Sequence, residues 1–440
     1  MNIYIETYGC TANHGDSLLI EHLLKKNGHK ITNLEEADFV IINTCTVINK
    51  TERRMLKRIK ELKNLNKKLI VAGCLPAAQP DVLKEEKINC EIITPKTIEN
   101  ITDLIPSSLQ VTRLGRELAS KPCIQSLQSQ ARSSIFPNII GIVSISQGCV
   151  GSCSYCIVKK ARGNLKSYNP DFIVKSVESL IAQGKKEIQI TSQDTGGYGL
   201  DIAKQSKAST FATKYRLPDL LNKISKIKGD FRVRVGMMNP STAIDIVSDL
   251  VDAFDNPKIF KFLHLPIQSG SDKVLEDMNR KHSVSDYKEI VNAFKNKFSD
   301  ITLSTDFIVG FPTETEEDFK KTIEVIKETK PTKVNITRFS PRPNTPAYKM
   351  KDILERTKKE RSRILTNLCN EISLKEYKKY LNRTLEVMVT EKGKYGTVIA
   401  RDCTYKNIVI KEDLPLGTWQ RVQIKSDASL KPTYLLGVRE

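Results

Sequence analysis

The sequence predicts a three-part α/β chain: an open parallel sheet, then a partial β/α barrel of six strands, then a small all-β barrel. Three observations predict it. Residues 1–105 and 138–350 alternate short apolar runs with amphipathic ones, as parallel strands joined by crossover helices do. Between them, 106–137 is rich in Ser and Gln and has no periodicity, which reads as a linker. Residues 381–440 switch to short β-rich runs separated by Gly, Asp and Lys, the pattern of a small barrel. The length of 440 residues suits this division, at roughly 150 residues per domain.

Each element follows from its local pattern. In the first part, strands are expected at 3–7, 39–43, 68–72 and 88–93, and helices at 16–26, 50–65 and 80–86. That alternation suggests a flavodoxin-like open sheet. In the second, strands are expected at 141–146, 187–192, 231–235, 260–266, 302–309 and 333–339, with helices including 172–183, 243–254 and 316–329. Six strands suit a partial barrel rather than a complete eightfold one. A polar, basic stretch at 201–216 reads as a surface insertion. Residues 351–380 read as one long basic helix with an apolar stripe at Ile364, Leu368 and Ile372. The runs at 384–391, 396–402, 407–412 and 420–426 then give the strands of an OB-like barrel.

Composition narrows the function. Hydrophobic residues make up 39%, which excludes wholesale disorder, and no apolar run approaches the roughly 18–20 residues of a membrane span. The N-terminus shows no basic segment followed by an apolar one, so no secretory signal is expected and the chain reads as cytoplasmic. Ten cysteines in such a chain are first read as metal or redox ligands rather than disulfides. Five histidines argue against imidazole-based chemistry.

Two cysteine constellations stand out. Cys149, Cys153 and Cys156 form a CxxxCxxC loop directly after the first strand of the second part. Three thiolates there can ligate three irons of a cubane and leave the fourth open, which suits chelation of S-adenosylmethionine. Tyr155 just before the last cysteine agrees. A structural zinc ion is the alternative, but it wants four closed ligands and no fourth Cys or His lies nearby in sequence. Cys10, Cys45 and Cys74 are dispersed, each at the C-terminal end of an expected strand. Strand ends of a parallel sheet lie side by side, so these three can meet; three buried apolar thiols are the alternative. Cys90, Cys123, Cys369 and Cys403 have no partner at ligand spacing and read as bystanders.

The CxxxCxxC loop after the first strand of a partial barrel resembles the radical S-adenosylmethionine enzymes. So do the blocks TSQDTGG from Thr191, LPIQSGS from Leu265, STDFIVGFPTETE from Ser304 and SPRPNTPA from Ser340. The whole order resembles the tRNA methylthiotransferases: a three-cysteine domain (1–105), a radical SAM domain (138–350), a basic helix (351–380) and a C-terminal TRAM RNA-binding domain (381–440). YGCTANHGDS from Tyr8 and CIVKKARGNL from Cys156 are most similar to the archaeal and eukaryotic branch, with Lys159-Lys160-Ala161 where other branches commonly have Val-Pro before the Arg-Gly.

The resemblance implies two [4Fe-4S] clusters, one on Cys149, Cys153 and Cys156 and one on Cys10, Cys45 and Cys74. It implies a radical at C-2 of N6-threonylcarbamoyladenosine at tRNA position 37, and transfer of CH3S to that carbon. Ser192, Gln193 and Asp194 after the second barrel strand, and Gln268 and Ser269 after the fourth, are implied S-adenosylmethionine contacts; helix caps and turns are the plainer reading. Arg162 reads as a contact to a cluster-bound ligand, to phosphate, or as a surface residue. A tRNA substrate, an unidentified electron donor and a sulfur source are the expected partners of a monomer. The net charge of +19 suits a polyanion, and the basic helix and terminal barrel carry nineteen Lys and Arg against twelve acids. The same chemistry on a ribosomal protein, and a non-enzymatic iron–sulfur RNA-binding sensor, are the competing readings.

Overall fold

A computed structural model describes residues 1–47, 49–105, 139–202, 215–425 and 432–439. The expected linker at 106–137, most of the insertion at 201–216 and Cys123 lie outside the described residues.

The first sheet is wholly parallel and contains β1 (Asn2–Thr7), β2 (Lys30–Ile31), β3 (Phe39–Thr44), β4 (Lys68–Gly73) and β5 (Glu91–Ile93), in the order β2-β1-β3-β4-β5. This is the flavodoxin order, with its switch point between β1 and β3. Every residue of β3 is buried, as a central strand covered on both faces requires. Alternation sorts the side chains. Ile3, Ile5, Ile41 and Ile70 pack with Ile20 and Leu24 of α1 (Thr11–Lys26), whereas Val40, Ile42 and Val71 pack with Ile59 and Leu62 of α2 (Asn49–Lys63). Three short helices follow: α3 (Cys74–Ala78), α4 (Pro80–Glu85) and α5 (Ile101–Leu104). The two-residue edge strand β2 was not expected, and β5 is shorter than the 88–93 run. Helix α1 starts at Thr11, five residues ahead of expectation, which places Cys10 at its N-cap.

The second part holds β6 (Ile140–Ser144), β7 (Ser146–Gln147), β8 (Lys166–Ser167), β9 (Glu187–Thr191), β10 (Arg232–Val235), β11 (Phe262–His264), β12 (Thr302–Val309) and β13 (Lys333–Arg338). Two parallel triplets, β10-β9-β6 and β11-β12-β13, meet through a bridge between Val233 and Ile259, giving six barrel strands. Leu303, Phe307 and Val309 face the helical layer and join its core, while Asp306 on the alternate face bonds His264 and Asn335 across the barrel wall. After α6 (Val158–Arg162), α7 (Pro170–Ala182) starts where its sequence says it should: Asn169 accepts from the N–H of Asp171 and Phe172, with Pro170 in the first turn. The expected helix at 243–254 is broken. Ile246 leaves the helical region at φ −129° and ψ 17°, so a turn at Ile244–Ile246 separates Pro240–Ala243 from Val247–Phe254.

The basic helix runs Glu355–Lys378, and its buried face overlaps the expected stripe without coinciding with it. Leu368 and Ile372 pack half-buried against the core, but Ile364 is 41% exposed, and Leu365, Cys369 and Tyr377 are the fully buried apolar positions. The face begins with two charged residues, Lys358 and Arg361, held by Asp352 and by Glu314 at 2.6 Å. Apolar spacing alone therefore finds the packed Leu368 and Ile372 but misses the charged start of the face.

The last part is a closed barrel of β14 (Thr384–Lys392), β15 (Val398–Arg401), β16 (Asn407–Ile410), β17 (Trp419–Ile424) and β18 (Leu435–Arg439), in the order β14-β15-β16-β18-β17 with β14 and β17 pairing to close it. The fifth strand, β18, was not expected. This barrel docks on the N-terminal ends of the six barrel strands. Gly417 approaches Ile139 and Lys186. Tyr405 donates to Glu187 at 2.8 Å and its carbonyl accepts from Lys333. Trp419 donates to Asp230, Lys261 N–H to the Cys403 carbonyl, and Lys406 to the Asp300 carbonyl. Phe260, Phe262, Met388 and Tyr405 form the apolar centre of the contact.

Candidate functional site

The opposite, C-terminal ends of the strands carry the cysteines. The antiparallel β7–β8 pair clamps the base of the loop that holds Cys149, Cys153 and Cys156. Gly148 turns into that loop at φ +75°, where a Cβ would stand 2.0 Å from the Asn164 carbonyl oxygen; only glycine fits. The N–H of Gly151 points at Cys149 Sγ at 3.3 Å, and the sulfurs of Cys149 and Cys153 flank Gly151. Lys159 reaches back to the Cys149 carbonyl. Arg280, from the helical layer, donates to Cys153 Sγ at 3.6 Å, to Asn239 Oδ1 at 3.0 Å and to the Pro266 carbonyl at 2.9 Å.

The dispersed cysteines do converge. Cys10, Cys45 and Cys74 stand beyond the ends of β1, β3 and β4. Cys10 Sγ and Cys74 Sγ each lie 3.7 Å from one atom, Asn13 Oδ1. A Cβ on Gly9 would meet Cys45 Cβ at 3.0 Å. The segments that carry the two cysteine sets also pack together: α3, which begins with Cys74, lies on α6, with Cys74 and Ala78 against Ile157 and Ala161.

Burial raises the thiols, pushing Cys74 up to about 12 and Cys149 to about 11, and it also lifts Cys45 and Cys156. Such thiols stay protonated unless a bound cation stabilises the thiolate. Among the described residues no three His, Cys, Asp or Glu side chains converge closely enough to share one ion. Thiolates on a cubane bind separate irons and have no need to.

The other expected site residues lie at the same face. Asp194 is buried and accepts from Asn239 N–H at 2.9 Å and from Thr242 Oγ1 at 3.0 Å, tying the loop after β9 to the loop after β10. Ser192 Oγ accepts from Asp194 N–H, and Ser269 Oγ from Ser271 N–H, both as local turn bonds. Gln193 Oε1 accepts from Gly148 N–H at 2.7 Å, which fixes the cysteine loop to β9. Gln268 sits at φ +81°, a conformation costly for a residue with a side chain, and bridges β12 through its own backbone. Arg162 is not a surface residue; it is buried and pairs with Asp16 at 2.5 Å.

Comparison with known proteins places the chain in a family. Three family models match: the radical SAM superfamily over residues 143–326, Uncharacterized protein family UPF0004 over 2–94, and the TRAM domain over 378–438. A protein of Archaeoglobus fulgidus, called a probable threonylcarbamoyladenosine tRNA methylthiotransferase, is 43% identical over 99% of this chain and 98% of its own. The chain belongs to the threonylcarbamoyladenosine tRNA methylthiotransferase family. It is a radical S-adenosylmethionine enzyme. Another family member, from Pyrococcus horikoshii, is 39% identical over 99% of both chains, and the human one is 34% identical over 89% of this chain and 66% of its own. Among solved structures, the radical S-adenosylmethionine methyltransferase TsrM of Kitasatospora setae superposes with a TM-score of 0.52 at 15% identity, over 79% of this chain and 74% of that one. This likeness shows the fold.

For a member of this family, the donor set fits its cofactors. Iron–sulfur and S-adenosylmethionine chemistry belongs to the family, and two three-thiol sets at adjoining strand ends suit it. Sequence reasoning missed Asn13, Asp16 and Arg280. The first two had a signal, since they follow Cys10 at three and six residues on a helix that starts at Thr11. Arg280 had none, because it arrives from a helix–loop boundary far from any cysteine in sequence.

Proposed function

We propose that this chain converts N6-threonylcarbamoyladenosine at tRNA position 37 to its 2-methylthio derivative, using two [4Fe-4S] clusters. Cys149, Cys153 and Cys156 hold one, with its open iron available to S-adenosylmethionine; Cys10, Cys45 and Cys74 hold the other. The observation that supports this reading is the packing of α3, which begins with Cys74, on α6, which follows Cys156. Bound there, the clusters and S-adenosylmethionine supply one-electron chemistry and the methylthio group.

The chain's own residues do the placement. Gln193 and Gly148 hold the cysteine loop to the barrel edge, and Arg280 sets Cys153 and the neighbouring loop with one guanidinium. Asp194, kept in place by Asn239 and Thr242 on the loop after β9, is an acceptor for the S-adenosylmethionine amino or ribose groups. The Gln268 amide, with no hydrogen bond among the described residues, is a second such contact. A tRNA partner accords with the TRAM domain and the net charge of +19. The electron donor and the sulfur source are separate partners, and the chain acts as a monomer. No helix among the described residues is long and apolar enough to cross a membrane, which agrees with a cytoplasmic site of action.

Mass spectrometry of tRNA nucleosides from a deletion strain tests the reaction. The 2-methylthio derivative is expected to vanish and its unmethylthiolated precursor to accumulate; an unchanged profile would sink the reading. Anaerobic reconstitution tests the cofactors: about eight irons per chain are expected, falling to about four in Cys153→Ala. Saturation of the parent at about four irons would rule out the second cluster.

A further inference from the structure

One oxygen atom joins the two halves of the site. Asn13 Oδ1 accepts from Arg162 Nη2 at 3.0 Å and lies 3.7 Å from the sulfurs of both Cys10 and Cys74. Asn13 is not free to turn. Its Nδ2 donates to the Tyr8 carbonyl at 3.1 Å and the Thr44 carbonyl at 2.8 Å, on the segments that lead into Cys10 and Cys45. One amide therefore touches the approaches to all three cysteines of the first domain.

The residue that holds this amide comes from the other domain. Arg162 ends α6, six residues after Cys156, and Gly163 at φ +78° turns the chain away behind it. Its guanidinium is buried and reaches both Asn13 and Asp16. Nη2 serves both, donating to Asn13 Oδ1 and to Asp16 Oδ2, while Nη1 adds a longer bond to Asp16 Oδ1 at 3.4 Å; the guanidinium meets the thiol triad through Asn13. A buried charge acts through a low dielectric, so a guanidinium here is felt strongly by an anionic thiolate cluster. Partners one bond beyond the ligands both orient them and set the electronics of the group they hold.

We propose that Arg162 is a positioning residue: through Asn13 it holds the Cys10/Cys45/Cys74 triad in register with the Cys149/Cys153/Cys156 loop and keeps a positive charge against that triad. The inference rests on the proposal that the first triad holds an iron–sulfur cluster. Arg162 would thus make the reduction potential of that cluster depend on the docking of the second domain. A cluster whose reduced form loses this charge becomes harder to reduce.

The test uses the full chain carrying Cys149→Ala, Cys153→Ala and Cys156→Ala, so that only the first triad loads. Its midpoint potential is followed by electron paramagnetic resonance during a redox titration. Arg162→Gln is expected to move the midpoint to a more negative potential, by about tenfold in the reduction equilibrium, or ~59 mV for one electron. Arg162→Lys, which keeps the charge, is expected to recover most of the shift. Asn13→Leu cuts the link but leaves the Arg162–Asp16 pair, and is expected to move the midpoint in the same direction; it decides the matter if Arg162→Gln does not fold. In the converse background, with Cys10→Ala, Cys45→Ala and Cys74→Ala, Arg162→Gln is expected to leave the midpoint of the other cluster in place. Iron loading of the first triad with an unmoved midpoint in Arg162→Gln and Asn13→Leu would overturn this inference alone, as would equal shifts in both backgrounds. Failure of the parent background to bind iron would overturn the two-cluster reading and this inference with it.

Discussion

Lys333 opens β13 with its ammonium among Arg401, Arg234 and Lys406, donating to the Tyr405 carbonyl. Desolvation first, then those neighbouring cations, lower it from 10.5 to about 7. The folded chain therefore holds fewer protons than the unfolded one between those two values, so stability rises with pH across that window. Below about 7 both states carry the proton and the unfavourable term is fully present. Lys333→Met is expected to be the more stable protein at pH 6, by on the order of a few kcal/mol less the lost hydrogen bond. The gap should close as pH approaches 10. Urea unfolding midpoints measured at pH 6, 8 and 10 check this, and an equal gap at all three would refute it. Nothing in the sequence marked Lys333, because the crowding comes from a second domain folded against the first strand positions. The cysteines were legible for the opposite reason: β-strand ends in a parallel sheet are neighbours whatever their distance in sequence, so Cys10, Cys45 and Cys74 could be brought together on topology alone.

Elements differ in how openly they declare themselves. The helix Glu316–Thr329 has the bounds its sequence gives, since Thr315 and Asp318 make a reciprocal cap around its first turn. The Glu355–Lys378 helix hides its face because Arg361 is buried against Glu314 and Lys358 against Asp352. The loop after β13 hides more. Arg342, 2% exposed, enters the first domain and meets Glu52, Asn49 and Thr46, the last at 3.0 Å. With Arg162–Asp16 it makes a second ion pair across the domain boundary. Removing one partner of a buried pair leaves the other charge uncompensated. Arg342→Ala is expected to cost about 3–5 kcal/mol and to split thermal unfolding into two transitions as the first domain uncouples. Differential scanning calorimetry reads both, and a single transition at the parent temperature would contradict the coupling.

For the molecule as a whole, the net charge of +19 is not all available to RNA. Lys358 and Arg361 of the basic helix, and Arg401 and Lys406 of the terminal barrel, are buried in internal contacts. The remaining excess still predicts a steep salt dependence. With 6–10 phosphate contacts, tRNA affinity should fall by about 10³–10⁵ between 50 and 200 mM salt. A filter-binding series that shows less than a tenfold fall would exclude phosphate-led binding. The three-part division was legible from periodicity, but the way the parts sit was not, since docking depends on surface residues such as Tyr405 and Trp419 that carry no periodic signal. That docking has a consequence for reach. With the terminal barrel seated beneath the N-terminal ends of all six strands, the radical SAM barrel has a floor, and the cysteines stand at the opposite end. The TRAM domain and the thiols are thus a full strand length apart, so one RNA that touched both would have to run along the side of the barrel.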